Sequence, residues 1–150
     1  MLDKFVEYVY LIFRGGTRGF NEAEMNILLS VLESLPNRDK SILKTQIESI
    51  NFVQRQHPGR LVVAYYGNKE NVPRLPYLAS EHCLAKVIYN SGNKKRVTSL
   101  ILHKGRFMSF ERNVPQVSSE IDSILKIKLH PDGLSSVTEE IDAEEHRKNA

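Results

Sequence analysis

The stretch LILHKGRFMSFER, residues 100–112, holds a histidine, a serine and a glutamate, the residue types of a nucleophilic triad. Its Lys-Gly pair predicts a two-residue hairpin turn that places Ser109 opposite Leu100. Side chains alternate between the two faces of a strand, so this register sends Ser109 to the face opposite His103, and Glu111 lies far along the strand. The sequence therefore predicts a strand pair with polar ends, without catalytic residues.

Cysteine and histidine, the other residues that often do chemistry, also give no site. Cys83 is the only cysteine, and its strand-like surroundings offer no cation or helix end that would lower the pKa of the thiol. We expect a small buried side chain there. The five histidines contain no His-x-x-x-His spacing, and a single cysteine excludes a Cys-x-x-Cys pair. We therefore expect neither a metal site nor a cofactor.

Basic residues are the remaining candidates for binding. The glycine-rich segment Arg14–Gly19 precedes a helix and could cradle a phosphate, but it lacks a Walker lysine, and the acidic residues Glu22 and Glu24 would repel an anion. A run of cations near Tyr89 is typical of nucleic-acid contacts combined with stacking. A nucleic-acid interpretation uses five cations: Arg14, Arg18, Lys94, Lys95 and Arg96.

The composition is that of a globular protein, and the C-terminal segment differs from the rest in being acidic. The 150 residues are 41% hydrophobic and 26% charged, with a net charge of +3. Residues 137–150 carry five acids and two bases, a net −3, which leaves +6 on residues 1–136. We expect one domain over 1–136 and a flexible acidic tail over 137–150. No apolar run approaches the roughly 20 residues that span a bilayer, which predicts a cytoplasmic protein without a membrane partner.

Two helices are predicted in the first third of the chain. Asn21 and Glu24 match the capping box at the start of a helix over 22–35, and Pro36 ends it. A second helix, capped by Asn37 or Asp39, would complete an αα-hairpin. The apolar positions expected to be buried in the first helix are Met25, Leu28, Leu29, Leu32 and Leu35.

Strand patterns follow the helices. Short turns between them predict an antiparallel meander of five to six strands, and helices followed by strands indicate an α+β fold. In the last strand, Leu125, Ile127 and Leu129 are expected to share one apolar face, with lysines on the other. The predicted strands cover 52–56, 61–66, 83–89, 96–102, 106–111 and 125–129.

Two stretches together resemble a known kind of protein. FRGGTRGFNEAEMNILLSVLESL combines a basic residue and a threonine with a capped helix bearing paired leucines, and ILHKGRFMSFERNVP forms a strand, a glycine turn and a second strand. Over roughly residues 11–115, the chain resembles small bacterial α+β domains, some of which are encoded beside toxin genes as immunity proteins. The resemblance implies a bacterial toxin-antitoxin context and includes no catalytic motif.

The resemblance and the basic body together favour a non-enzymatic protein that binds another protein. Such an immunity or antitoxin protein would neutralise a toxin by covering its active site with a charge-complementary surface. The alternatives are a nucleic-acid-binding accessory protein and an enzyme whose site has no recognisable motif. The expected partner-binding residues lie in loops and at hairpin ends: Arg60, Lys69, Arg74, Lys104 and Arg106.

Overall fold

The structure is a computed structural model that describes Val9 and residues 16–56, 60–67, 71–113 and 121–129. In this part of the chain, two helices and seven strands follow one another. The helices are α1 (Glu22–Ser34) and α2 (Asn37–Glu48). The strands are β1 (Gly16–Thr17), β2 (Ile50–Gln56), β3 (Leu61–Tyr66), β4 (His82–Ser91), β5 (Lys94–His103), β6 (Arg106–Arg112) and β7 (Ser123–Leu129).

All seven strands belong to one antiparallel sheet, in the order β1-β2-β3-β6-β5-β4-β7. The α+β class is confirmed, but the predicted count of five to six strands was wrong. A simple meander was also wrong, because β3 pairs with β6 and β7 pairs with β4. The chain between Tyr66 and His82 is long enough to carry β4 three positions away from β3, where neighbouring strands are about 4.8 Å apart.

The helices pack on one face of the sheet through a single hydrophobic cluster. Ile27 and Leu28 of α1, Leu43 of α2 and the sheet residues Phe107 and Phe110 are fully buried in it. The predicted stripe of α1 was wrong at Leu29, which is 49% exposed. Ile27 and Leu28 lie within the buried face of α1, and Leu29, about 100° further round the helix from Leu28, lies outside that face.

Local signals set the start of α1 but not that of α2. The capping box is confirmed: the side chain of Asn21 accepts from the Glu24 N–H at 2.8 Å, and the Glu24 carboxylate accepts from the Asn21 N–H at 2.9 Å. At α2, Pro36 is the N-cap and no side chain caps the helix, so the predicted caps were wrong. That the two helices form an αα-hairpin stays a prediction.

The β5–β6 hairpin follows the predicted register only near its turn. His103 pairs with Arg106 and Leu102 with Phe107, but a bulge then shifts the pairing by one residue. Ser109 consequently lies opposite Ile101, where Leu100 was predicted.

A second bulge changes the predicted face of β7. Ile124 pairs with Tyr89 and Lys126 with Ile88, so Leu125 is the extra residue between them. Ile124, Ile127 and Leu129 pack against the core, while Leu125 is exposed. The predicted apolar face was therefore right at two of its three residues, with Ile124 in the place expected for Leu125.

Several expectations fall on residues outside those described. They are the acidic tail over 137–150, the full extent of the domain over 1–136, and the binding residues Arg14 and Lys69. Within the described ranges, no helix has both the length and the apolar character needed to cross a membrane.

Candidate functional site

The polar residues of the β5–β6 hairpin that the structure describes are not arranged as a nucleophilic triad. Because Ser109 lies opposite Ile101, two residues from His103, Ser109 and His103 share a face, and the predicted placement on opposite faces was wrong. The Ser109 hydroxyl is nevertheless buried, and it has no hydrogen-bond partner among the residues that the structure describes. No described base is placed to remove its proton, as a serine nucleophile requires.

Cys83 is placed in an environment that suppresses the reactivity of its thiol. Burial is the main effect and raises the pKa of the thiol, while Lys86 acts in the opposite direction and only partly offsets it. Since the thiolate is the reactive form of cysteine, the raised pKa disfavours nucleophilic attack. Cys83 is half-buried, so the expected full burial was wrong, while the raised pKa agrees with the expectation of an unreactive thiol.

A cluster that the sequence did not reveal joins α2 to the start of β4. Tyr77 donates its hydroxyl to the Asp39 carboxylate at 3.3 Å, and the His82 ring stacks on Tyr77 with 4.6 Å between ring centroids. Burial, followed by the charge of Asp39, raises the pKa of Tyr77. The three residues lie up to 43 positions apart, so no local pattern predicts the contact. It links the loop before β4 to α2.

Metal ligation has no candidate in the described ranges. No group of three or more histidine, cysteine, aspartate or glutamate side chains is placed there to hold a metal ion.

Of the five cations predicted to bind a partner, the four that the structure describes do not form one surface. Arg106 is buried, only 7% exposed, and its Nε donates to the Val72 carbonyl at 3.4 Å, so its prediction as an exposed residue was wrong. Arg74 and Lys104 are exposed near the β5–β6 turn. Arg60 is exposed beside Arg112, at the other end of the seven-residue strand β6, which is about 20 Å long.

Three of the five cations predicted to contact nucleic acid lie close together. Lys94 and Lys95 are exposed where β5 begins after the Gly92-Asn93 turn, and Arg96 is half-buried beside them. Arg18 is exposed after the short strand β1, far from these three in the order of strands.

A buried charged group, which we call the Glu24 cluster (Glu24, Arg55 and Arg112), fixes the start of α1 to the sheet. Glu24 is fully buried. Arg55 donates to both of its carboxylate oxygens, at 3.0 Å from Nε to Oε2, and Arg112 Nη2 lies 3.9 Å from Oε2. Arg55 also donates to Thr17 Oγ1 at 2.8 Å, which ties β1 to the same group. The Glu24 carboxylate therefore caps the helix and links it to β2 and β6.

A neutral group, which we call the Gln46 cluster (Gln46, Pro73, Gly105 and Phe107), fixes α2 to the other end of the sheet. The amide nitrogen of the buried Gln46 donates to the Pro73 and Gly105 carbonyls at 2.8 and 2.9 Å. Its amide oxygen accepts from the Phe107 N–H at 2.9 Å. One side chain thus joins the loop before β4 to the β5–β6 turn.

Between α1 and the beginning of β7 lies an open groove of about 330 Å³, which we call the α1–β7 groove. Its volume is at the low end of the roughly 300–1,000 Å³ typical of small-molecule sites. The apolar part is formed by Leu29, Ile121 and Ile124, and the bulge in β7 is what turns Ile124 toward the helices. The remaining lining residues are polar or acidic: Asn26, Ser30, Glu33, Asp122 and Ser123.

The groove was missed at the sequence level because its two walls are about 90 residues apart in the chain. The run Ile27-Leu28-Leu29 was the available signal, since three successive residues of a helix span about 200° and cannot all face the core. Its acidic lining also differs from the basic surface that the sequence suggested.

Comparison of the chain with protein-family models, with curated proteins and with solved structures found no match.

Proposed function

We propose that the chain is a non-enzymatic, cytoplasmic protein-binding module, of the immunity or antitoxin kind, that neutralises a toxin by covering its active site. The observation that carries the proposal is the α1–β7 groove, where Leu29 is 49% exposed next to two further apolar side chains. An exposed leucine by itself is ordinary, but one that forms part of a concave surface offers a partner an apolar anchor point.

The shape of the groove favours a protein partner over a cofactor. It is open to solvent and shallow, whereas cofactor sites enclose most of their ligand. Its apolar residues are surrounded by amide, hydroxyl and carboxylate groups, which is the arrangement of an interface with an apolar centre and a polar rim. The groove replaces the dispersed cations as the proposed partner-binding surface.

The test is a pull-down from the native host with the full-length protein as bait, followed by purification of the captured protein. Affinity for that protein is then measured for the wild type, for Leu29→Asp, and for Leu78→Asp, which changes a leucine that is 63% exposed in the loop before β4. We expect one stoichiometric protein that binds the wild type and the Leu78 variant equally and the Leu29 variant at least about tenfold more weakly. Equal affinity for both variants, or recovery of nuclease-sensitive material alone, contradicts the proposal.

A second candidate function, nucleic-acid binding, is favoured by the exposed Lys94 and Lys95 and the adjacent Arg96. Lys94 and Arg96 lie on the same face of β5 and can contact neighbouring phosphates, while Lys95 points to the other face. In that case affinity for single-stranded RNA falls steeply with salt, and Lys94→Ala reduces the slope of log K against log[salt] by about 1. Lys44→Ala, an exposed lysine on α2, is the control. RNA binding that is absent at low salt contradicts this candidate.

A further inference from the structure

The charge of the α1–β7 groove is opposite to that of the domain around it. Residues 1–136 carry a net +6 by sequence, yet the eight described residues that line the groove include two carboxylates, Glu33 and Asp122, and no cation. One carboxylate stands on α1 and the other at the start of β7, so negative charge flanks the apolar part from both walls.

Both walls of the groove are held in place, and their two carboxylates can still accept further hydrogen bonds. Among the described residues, Asp122 accepts one hydrogen bond, from the Gly92 N–H to its Oδ2 at 3.0 Å, and its own N–H donates to the Asn90 carbonyl at 2.9 Å. A carboxylate has about four acceptor positions, so one bond leaves Asp122 able to receive others. Glu33 is exposed near the end of α1.

We propose that the α1–β7 groove binds a segment of a partner protein in which an apolar side chain is flanked by lysine or arginine. The apolar side chain occupies the space between Leu29 and Ile124, and the flanking cations lie against Glu33 and Asp122. This inference rests on the proposed protein-binding function and specifies the partner segment for the same groove.

Other occupants fit the groove less well. A nucleotide or another phosphate would be repelled by the two carboxylates. A second copy of this chain, docked about a twofold axis, would bring the same acidic residues of both copies together, because an isologous interface uses one patch twice. A basic segment is attracted to the groove and, once there, covers Leu29.

The charge arrangement also affects how the complex forms. The basic domain as a whole repels a basic partner at long range, so attraction operates only near the groove, within about 8 Å at physiological salt. Charge therefore selects the docking position of the segment more than it raises the association rate.

The test is a selection of random 12-residue peptides, displayed on phage, against the full-length protein, followed by affinity measurements on the enriched peptides after synthesis. We expect lysine or arginine on both sides of a leucine, isoleucine, valine or phenylalanine. Glu33→Lys should weaken the enriched peptides about fivefold, since it removes one exposed ion pair and adds a like charge. The matched control Glu48→Lys reverses an exposed glutamate on α2, outside the groove, and should leave the affinity unchanged.

Asp122→Asn is the milder variant of the second wall, because the amide oxygen can still accept from the Gly92 N–H. It should weaken the same peptides about twofold to threefold. Circular dichroism and urea unfolding test whether each variant folds like the wild type. Glu33→Gln replaces any variant that fails this test.

The outcomes separate this inference from the proposed function. The basic-segment inference is overturned if the peptides that depend on Leu29 are acidic or uncharged. It is also overturned if their affinity is unchanged by Glu33→Lys and Asp122→Asn. In either case the proposed protein-binding function is not contradicted. If no enriched peptide is weakened by Leu29→Ala, which removes apolar surface without adding charge, the groove is not a binding surface and both proposals fall.

Discussion

The two helices are held to the two ends of the sheet by different chemistry. At the Gln46 cluster a neutral amide makes three hydrogen bonds to backbone groups, and the chain closes tightly around Gly105. At the Glu24 cluster the link is ionic, with one buried carboxylate between two arginines. The Gln46 end is filled, whereas α1 leaves the α1–β7 groove open beside β7.

This difference indicates which part of the molecule is structural and which part is available for binding. Directional hydrogen bonds to backbone groups fix α2 and the β5–β6 turn in one arrangement. The ionic link fixes α1 only at its beginning, so the later turns of the helix meet β7 through a few side chains. Three substitutions should each weaken the attachment at one end of the sheet and leave the other end intact.

The largest effect is expected for Glu24→Gln. Glutamine keeps an oxygen to cap α1 but removes the charge that compensates Arg55 and Arg112. Loss of one partner of a buried ion pair should lower the free energy of unfolding by about 3–5 kcal/mol, measured by urea denaturation. Glu48→Gln is the control, since its pair with Lys44, at 4.0 Å, is exposed and should contribute at most about 0.5 kcal/mol. Equal losses for the two variants would show that the Glu24 cluster is not the main attachment of α1.

A smaller loss is expected for Gln46→Met, which has a similar shape and no hydrogen-bonding amide. The buried Phe107 N–H and the Pro73 carbonyl lose their side-chain partner, while Gly105 O keeps the Leu75 N–H at 2.8 Å. Buried groups without partners cost about 1–3 kcal/mol each, so we expect a loss of about 3 kcal/mol in urea denaturation. The half-buried Gln56, changed to Met, should stay within about 0.5 kcal/mol of the wild type. A Gln46 variant as stable as the Gln56 variant would refute the role of the cluster.

The smallest effect on stability is expected for Gly105→Ala, which tests the close packing around Gly105. The reference is Gly92→Ala, because Gly92 also has a positive φ. Both Gly105 (φ +81°) and Gly92 (φ +58°) have positive φ, so alanine costs about 1–2 kcal/mol at either position. A Cβ at Gly105 would also lie 2.5 Å from the Leu75 carbonyl oxygen, whereas at Gly92 it meets nothing within 4 Å. We expect Gly105→Ala to be less stable than Gly92→Ala by about 1–2 kcal/mol in thermal and urea unfolding. A difference near zero would mean that this end is not tightly closed.

Local features of the fold were predictable from the sequence. The capping box at Asn21 and Glu24 and the two-residue turn before Arg106 act within a few residues, and both are confirmed. The strand order and the bulges at Met108 and Leu125 were not predictable, because they depend on pairing between distant segments.

The candidate site was less predictable than the fold. Cations such as Arg106 look exposed in a turn-adjacent position, but burial there depends on the Val72 carbonyl, 34 residues away. The groove depends on the bulge that turns Ile124 toward α1 and on which of two adjacent leucines faces the sheet. Both are decided by tertiary packing, which the sequence pattern does not specify.

The bulge at Leu125 also affects how another chain can approach. In the described part of the chain, β7 is the last strand of the sheet on its side, and a regular last strand offers a row of backbone groups to any extended peptide. The extra residue interrupts that row, and Lys126 and Lys128 add charge along it. The interrupted and charged edge disfavours strand pairing between one molecule and the next. Fibre formation through this edge is therefore disfavoured even at high protein concentration.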